Sequence, residues 1–166
     1  DLSSDDATRT ITAAMKSYDL NESQVMDFVD QISAIDMASA TDVGGLADAF
    51  NEVAANANQA GISTKQLLSY AAVIGETTQE GMSSVGTSLN AIFSRMGNIK
   101  LSRLKDYQNG GEDLSNVETV LRGVGISLRD ADGEFRNFGD VLDETADRWS
   151  DFGSVQQRAV SQAFAG

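Results

Sequence analysis

The sequence predicts an all-α fold, a bundle of short helices with one small β-hairpin near 126–136. Three observations carry this expectation. Proline is absent and alanine occurs 20 times in 166 residues, so no residue type in the chain breaks a helix by removing an amide donor. Apolar residues recur at the 3.6-residue spacing in segment after segment, most of them opened by a Ser or Asn able to cap a helix. A single stretch alternates with period two, around an Asp-Gly turn.

The first helix is expected over 4–18. Ser4 can cap it, Asp5 and Asp6 set negative charge on the positive end of the dipole, and Ala7, Ile11, Ala14, Met15 and Tyr18 face inward. A second helix starts at Asn21, which pairs with Gln24 as a capping box while Leu20 staples onto Val25. Its apolar face, Val25, Met26, Phe28, Val29, Ile32 and Ile35, is wide enough to predict a largely buried helix. Residues 38–45 read as a loop. The third helix follows over 46–60 with Phe50, Val53, Ala54 and Ala57 inward, and Gly61 suits the left-handed residue that ends it.

Ser63 and Gln66 box a fourth helix, stapled by Ile62 and Leu67. After a loop at 76–82 a fifth runs over 84–96, closed by Gly97. Residues 98–113 read as an irregular loop around Asn109-Gly110-Gly111. Ser115 and Glu118 box a short helix to Arg122. Alternation at 126–129 and 134–136 then predicts the hairpin. A helix over 139–149 follows with Val141, Leu142, Ala146 and Trp149 inward, and a last one starts at Ser154, boxed by Gln157. The expected organisation is a five-helix bundle over 1–97, with the loop, short helix, hairpin and two helices of 98–166 packed on the same module.

Composition excludes much chemistry. There is no cysteine, hence no disulfide, thiolate nucleophile or Cys-ligated metal, and no histidine, hence no imidazole base, Ser-His-Asp triad or imidazole ligand. No cofactor and no metal are expected. With 12 Lys+Arg against 25 Asp+Glu the formal charge is −13, which repels nucleic acid at long range. Basic residues thin out to Arg9, Lys16 and Lys65 before position 95. Arg95, Lys100, Arg103 and Lys105 then form an acid-free basic stretch, read as a solvated face. Apolar runs end after about four residues where a membrane span needs about 20. The chain opens at Asp1 without Met and closes inside a helical pattern, so it is expected to be a piece of a longer polypeptide.

No constellation rises to an active site. Asp130-x-Asp132-Gly133 resembles the start of a calcium loop, yet the glycine comes two residues early and Val141 or Leu142 stands where the bidentate Glu belongs, so a turn is the better account. Asp140, Asp143, Glu144 and Asp147 mark the solvent face of a helix, with Glu144–Arg148 offsetting the like pair Asp143–Asp147. The glycines lack nucleotide-binding spacing. Phe28, Phe50 and Phe93 are expected to form a mutual core, and a helical face left over could serve self-association.

The opening run LSSDDATRTITAAMKSYDLNESQVMDFVDQISAI resembles a repeated signature in the core region of phage tail tape measure proteins. The likeness continues through Leu46-Ala47-Asp48-Ala49-Phe50 and Ala60-Gly61-Ile62-Ser63, then Thr77-Thr78-Gln79-Glu80-Gly81, Val85-Gly86-Thr87-Ser88-Leu89 and Ile92-Phe93-Ser94-Arg95. It closes on the run from Gly125 to Gly166, GISLRDADGEFRNFGDVLDETADRWSDFGSVQQRAVSQAFAG. Gly44-Gly45 and the loop near 107–112 depart from the pattern.

This resemblance implies a non-enzymatic structural protein of the virion tail lumen, made in the host cytoplasm. Such a protein sets tail length, scaffolds tube assembly and leaves during genome ejection. It also implies several copies together, contacts with tail tube and tail tip proteins, and help from tail assembly chaperones. The alternative is a helical protein-binding module of a bacterial surface or secreted protein, and a third class is an enzyme using carboxylates alone.

Overall fold

A computed structural model of the chain describes residues 3–98 and 115–165. The described elements are helical: α1 (Ser4–Tyr18), α2 (Glu22–Ala38), α3 (Val43–Gln59), α4 (Thr64–Thr78), α5 (Met82–Met96), α6 (Asn116–Gly123), α7 (Phe138–Asp147), a 3₁₀ turn (Trp149–Asp151) and α8 (Ser154–Ala165). Contacts divide the chain into two units, Asp1–Asn90 and Ala91–Gly166, so α5 gives its first part to one and its last to the other.

Caps set most boundaries. Asn21 accepts from the amides of Ser23 and Gln24 while Gln24 reaches back to Asn21, and Ser63 with Gln66 repeats the pattern. Gly61 takes a φ of 77°, as a residue following a helix end requires. Other caps differ from expectation by a residue or more. Ser3, not Ser4, accepts from the Asp6 amide. Asp42 caps α3 through the Gly45 amide, which makes 43–45 helical where a loop was expected. The Asp42 carboxylate satisfies an amide of the first turn, and a cap of about 0.5–2 kcal/mol is of the same size as the cost of the two glycines it holds in the helix. The last helix is boxed one residue early, with Gln156 accepting from the Gly153 amide at 2.9 Å.

In the first unit α3 is the central element, packed on α1, α2 and α4. Leu46, Ala47, Ala49, Phe50, Val53, Ala54 and Ala57 are all buried along it. Phe28 of α2 meets Phe50 at a tilt, with ring centroids 4.8 Å apart, and Tyr18 stacks on the same ring at 5.9 Å. Each such phenylalanine contributes about 1.5–3 kcal/mol by burial. Phe93, expected beside them, is buried in the second unit.

The expectation that α2 is largely buried is corrected. Only Phe28 and Ile32 are buried on it, and Met26 and Met37 are 61% and 87% exposed. The carboxylates of Glu22, Asp27 and Asp30 must stay hydrated, which holds most of the helix at the surface. Met15 on α1, expected inward, is likewise exposed. Polar links join the helices of this unit: Asn51 donates to the buried Thr10 hydroxyl at 3.0 Å, and Asn56 donates to the Asn90 side chain at 2.9 Å.

The Tyr18 hydroxyl is buried without a hydrogen-bond partner among the described residues, and burial pushes its pKa up. Removing an unpaired buried polar atom relieves a desolvation cost, so Tyr18→Phe is expected to stabilise the fold by about 1 kcal/mol in urea denaturation. A loss of similar size would show that the hydroxyl is paired in solution.

The hairpin expected at 126–136 is not formed; no strand occurs among the described residues. One isolated antiparallel bridge joins Arg129 and Phe135. Asp130 donates to the Glu134 carbonyl at 2.9 Å and Arg136 to that of Leu128 at 3.0 Å. The alternation is real as burial, with Ile126 and Leu128 inward and Ser127 outward. Pairing goes no further because the chain is committed on both sides. Gly125 turns away at a φ of 78°, and Asn137 already caps α7 through the amides of Gly139 and Asp140. The irregular loop expected at 98–113 falls almost wholly outside the described residues.

Candidate interaction surface

The second unit is organised by arginines. Glu118 on α6 is buried and pairs with Arg129 from the loop, while Arg122 one turn along α6 approaches the same carboxylate at 3.6 Å. Arg136 binds Glu144 of α7 at 2.8 Å and donates to the Ser127 carbonyl at 2.7 Å. Arg148 donates to the carbonyls of Gly125 and Val124 at 2.9 and 3.0 Å and sits 3.7 Å from Glu144. Three guanidinium groups thus tie 124–136 to α6 and α7 by charge-assisted bonds, each stronger than a neutral one. Of these contacts only the i,i+4 pair Glu144–Arg148 was read from the sequence.

The same arginines place the end of α7. Arg148 lies over the Phe152 ring at 5.7 Å, and Trp149 meets that ring edge-on at 6.2 Å. The helix therefore stops at Asp147 and tightens into a 3₁₀ turn, earlier than expected, and Trp149 is 38% exposed instead of buried. Gln157 of α8 donates to the Trp149 carbonyl at 2.9 Å and holds the turn against that helix.

Between α7 and α8 this leaves an open groove of about 440 Å³. Leu142, Ala146 and Trp149 line one side at i, i+4 and i+7; Val160 and Phe164 line the other at i, i+4. The lining offers no carboxylate or amine, and its Thr145 hydroxyl is already given to the Val141 carbonyl at 2.7 Å. Chemically this is a surface for apolar contact. At its margin, Arg95 of α5 donates to the Phe164 carbonyl at 2.9 Å. The rest of the basic stretch, Lys100, Arg103 and Lys105, lies outside the described residues.

The other features weighed in the sequence take structural parts. Asp130 accepts from the amides of Asp132 and Glu134 at 2.9 and 3.0 Å, so that carboxylate closes its own turn. Glu144 serves the arginines, and Asp140, Asp143 and Asp147 are exposed. Among the described residues no three acidic side chains gather as a metal-holding group, and no helix is long and apolar enough to cross a membrane.

No solved structure matches the chain. The family model of phage-related minor tail proteins matches residues 1–166. A match across both helical units leaves no part of the chain outside the family pattern. The chain therefore belongs to the phage-related minor tail protein family, and its role is that of a structural component of the phage virion tail.

Proposed function

We propose that this segment is part of a tail tape measure protein, lying in the tail lumen, and that it anchors or assembles the tail without itself being the measuring rod. The full-length match to the minor tail family carries the tail role, and the resemblance of the 1–63 and 125–166 runs to tape measure cores supports the finer reading. In this reading the parent protein sets tail length, scaffolds the tube and departs during genome ejection. It associates in several copies, meets tube and tip proteins, and depends on tail chaperones before assembly. It performs no catalysis.

The assignment of an anchoring part rests on helix length. A rod that measures should be a long continuous helix, since each helical residue adds about 1.5 Å. Here the described helices run 8 to 17 residues, and α3 buries seven side chains against its neighbours. Removing residues from such a packed unit unfolds it and does not shorten it. Deleting 46–61 from the parent protein is expected to abolish tails or give lengths uncorrelated with the deletion. Electron microscopy of tails checks this, against an equal deletion in a long heptad region. Viable tails shortened by about 1.5 Å per deleted residue would make this segment part of the ruler.

A further inference from the structure

We propose that the solvent face of α2 is a docking site for one amphipathic helix of a partner protein, apolar along its centre and carrying Lys or Arg on both flanks. The proposal does not rest on the tape measure reading, because binding is read on the 166-residue chain itself.

Helix geometry places the surface. At about 100° per residue, Met26, Val29, Ser33 and Met37 fall within an arc of about 80° on α2, at i, i+3, i+7 and i+11. They form a seam about 16 Å long. Met26 is 61% exposed and Met37 87%, and Val29 between them is half-buried. The neighbouring helices lie elsewhere: Phe28 and Ile32 are buried, and Gln31 accepts from the Thr64 hydroxyl of α4 at 2.8 Å. Those three positions stand more than about 100° round the helix from either methionine. Hydration explains why the carboxylates of α2 stay outside, but it gives no reason for two methionines on the same side. A methionine in water is uncovered apolar surface, and its flexible thioether chain suits contact with a partner helix.

Charge selects the occupant, and it lies on the same helix. Asp30 and Asp27 border the seam on one flank, about 20° and 80° beyond Met37, and Asp36 borders the other, about 20° from Val29. Glu22 stands one turn ahead of Met26 on the seam itself. Glu22, Asp27 and Asp30 are exposed and Asp36 is half-buried, and none of the four is paired with a basic side chain among the described residues. The helix carries no Lys or Arg of its own. A helix laid along the seam therefore meets carboxylates on both sides, and Lys or Arg on both its flanks complement them. A second copy of this chain offers no such helix. Among the described residues no helix carries more than two basic residues, and α1, which carries Arg9 and Lys16, also holds Asp5 and Asp6. The charge of −13 on each chain opposes the approach as well.

The probe is a labelled synthetic peptide of about four helical turns, with leucines at i, i+3, i+7 and i+11 and lysines on both flanks. Two comparison peptides replace the lysines by glutamates or scatter the leucines at equal composition. By fluorescence anisotropy the lysine peptide is expected to bind about tenfold tighter than either comparison, the effect of one or two charge-assisted contacts. Met26→Ser with Met37→Ser, at exposed positions, should weaken its binding about tenfold with helicity unchanged. The pair Asp27→Asn and Asp30→Asn should weaken it about tenfold, whereas the same change of charge at the exposed Asp132 and Asp147 of the second unit should alter it less than about twofold.

Equal binding of the scattered peptide would overturn the proposal, as would unchanged binding by the methionine variant. Equal effects of the two Asp pairs would also overturn it, because net charge alone would then attract the peptide. So would self-association of the chain without peptide that Met37→Ser abolishes, because a second copy would then cover α2.

Discussion

Gly86→Ala is expected to destabilise the first unit by about 2 kcal/mol, although alanine is the better helix former by about 1 kcal/mol. A Cβ built on Gly86 would lie 2.7 Å from the Ala49 carbonyl oxygen, 2.9 Å from the Ala49 Cα and 2.9 Å from the Glu52 Cβ. These atoms belong to the central helix α3 and cannot move without carrying its backbone, so the two helices must separate. Gly75 makes an instructive contrast. Its nearest obstacle is the Met82 sulfur at 2.5 Å, the end of a flexible side chain that can turn aside. Gly75→Ala should therefore cost less than Gly86→Ala. At Gly123, where nothing lies within 4 Å, the same substitution should be neutral or gain up to about 1 kcal/mol. Urea denaturation ranks the three, and amide exchange should assign the Gly86 loss to α3 and α5. Equal stabilities for Gly86→Ala and Gly123→Ala would show that α3 and α5 do not cross this closely.

Glu118→Ala should have the largest effect of any single side-chain truncation in the second unit, a loss of about 3–5 kcal/mol. Glu118 is 2% exposed, and the Arg129 side chain paired with it is only 12% exposed. Removing the carboxylate takes away the partner that sits directly against a guanidinium largely out of water. Replacing both partners by apolar residues, Glu118→Leu with Arg129→Met, should cost clearly less than Glu118→Ala alone, because neither then strands a charge. The double variant is the control for lost packing. If it is as unstable as the single one, the pair holds the unit by shape and not by compensation of charge. Arg122, exposed and 3.6 Å away, is expected to contribute under about 1 kcal/mol when replaced by Ala.

These two sites show unequal legibility. Neither Gly86 nor Glu118 could be ranked from the chain alone. Gly86 read only as part of a family-like run, and Glu118 read as the closing member of a capping box. Its amide does accept that role, donating to the Ser115 hydroxyl at 3.1 Å. What the pattern could not reveal is that its carboxylate faces an arginine 11 positions on.

The same division runs through the groove. Leu142, Ala146 and Trp149 were visible as a helical stripe, and a stripe is ordinarily core, so all three were expected inward. Whether a stripe is covered depends on how many elements are left to cover it. Here the chain tightens into a 3₁₀ turn after Asp147, where Arg148 lies over the Phe152 ring, and α8 packs on α6.

The sequence by itself determined the helices, their capped ends at Asn21 and Ser63, the left-handed Gly61 and the absence of histidine and cysteine chemistry. Those properties depend on neighbours within about four positions, where spacing and side-chain type suffice. Only the tertiary structure decided that α3 and not α2 is the buried helix, that 126–136 makes a single bridge and no hairpin, and that Trp149 stands at a groove. Each of these is a competition between local preference and a distant partner: hydration of the α2 carboxylates against burial, helix caps and arginine pairs against strand pairing, and a packed ring against a continuing helix. Local propensity is worth tenths of a kcal/mol per residue, whereas a buried aromatic or a buried charge pair is worth several, so the distant partner prevails wherever the two disagree.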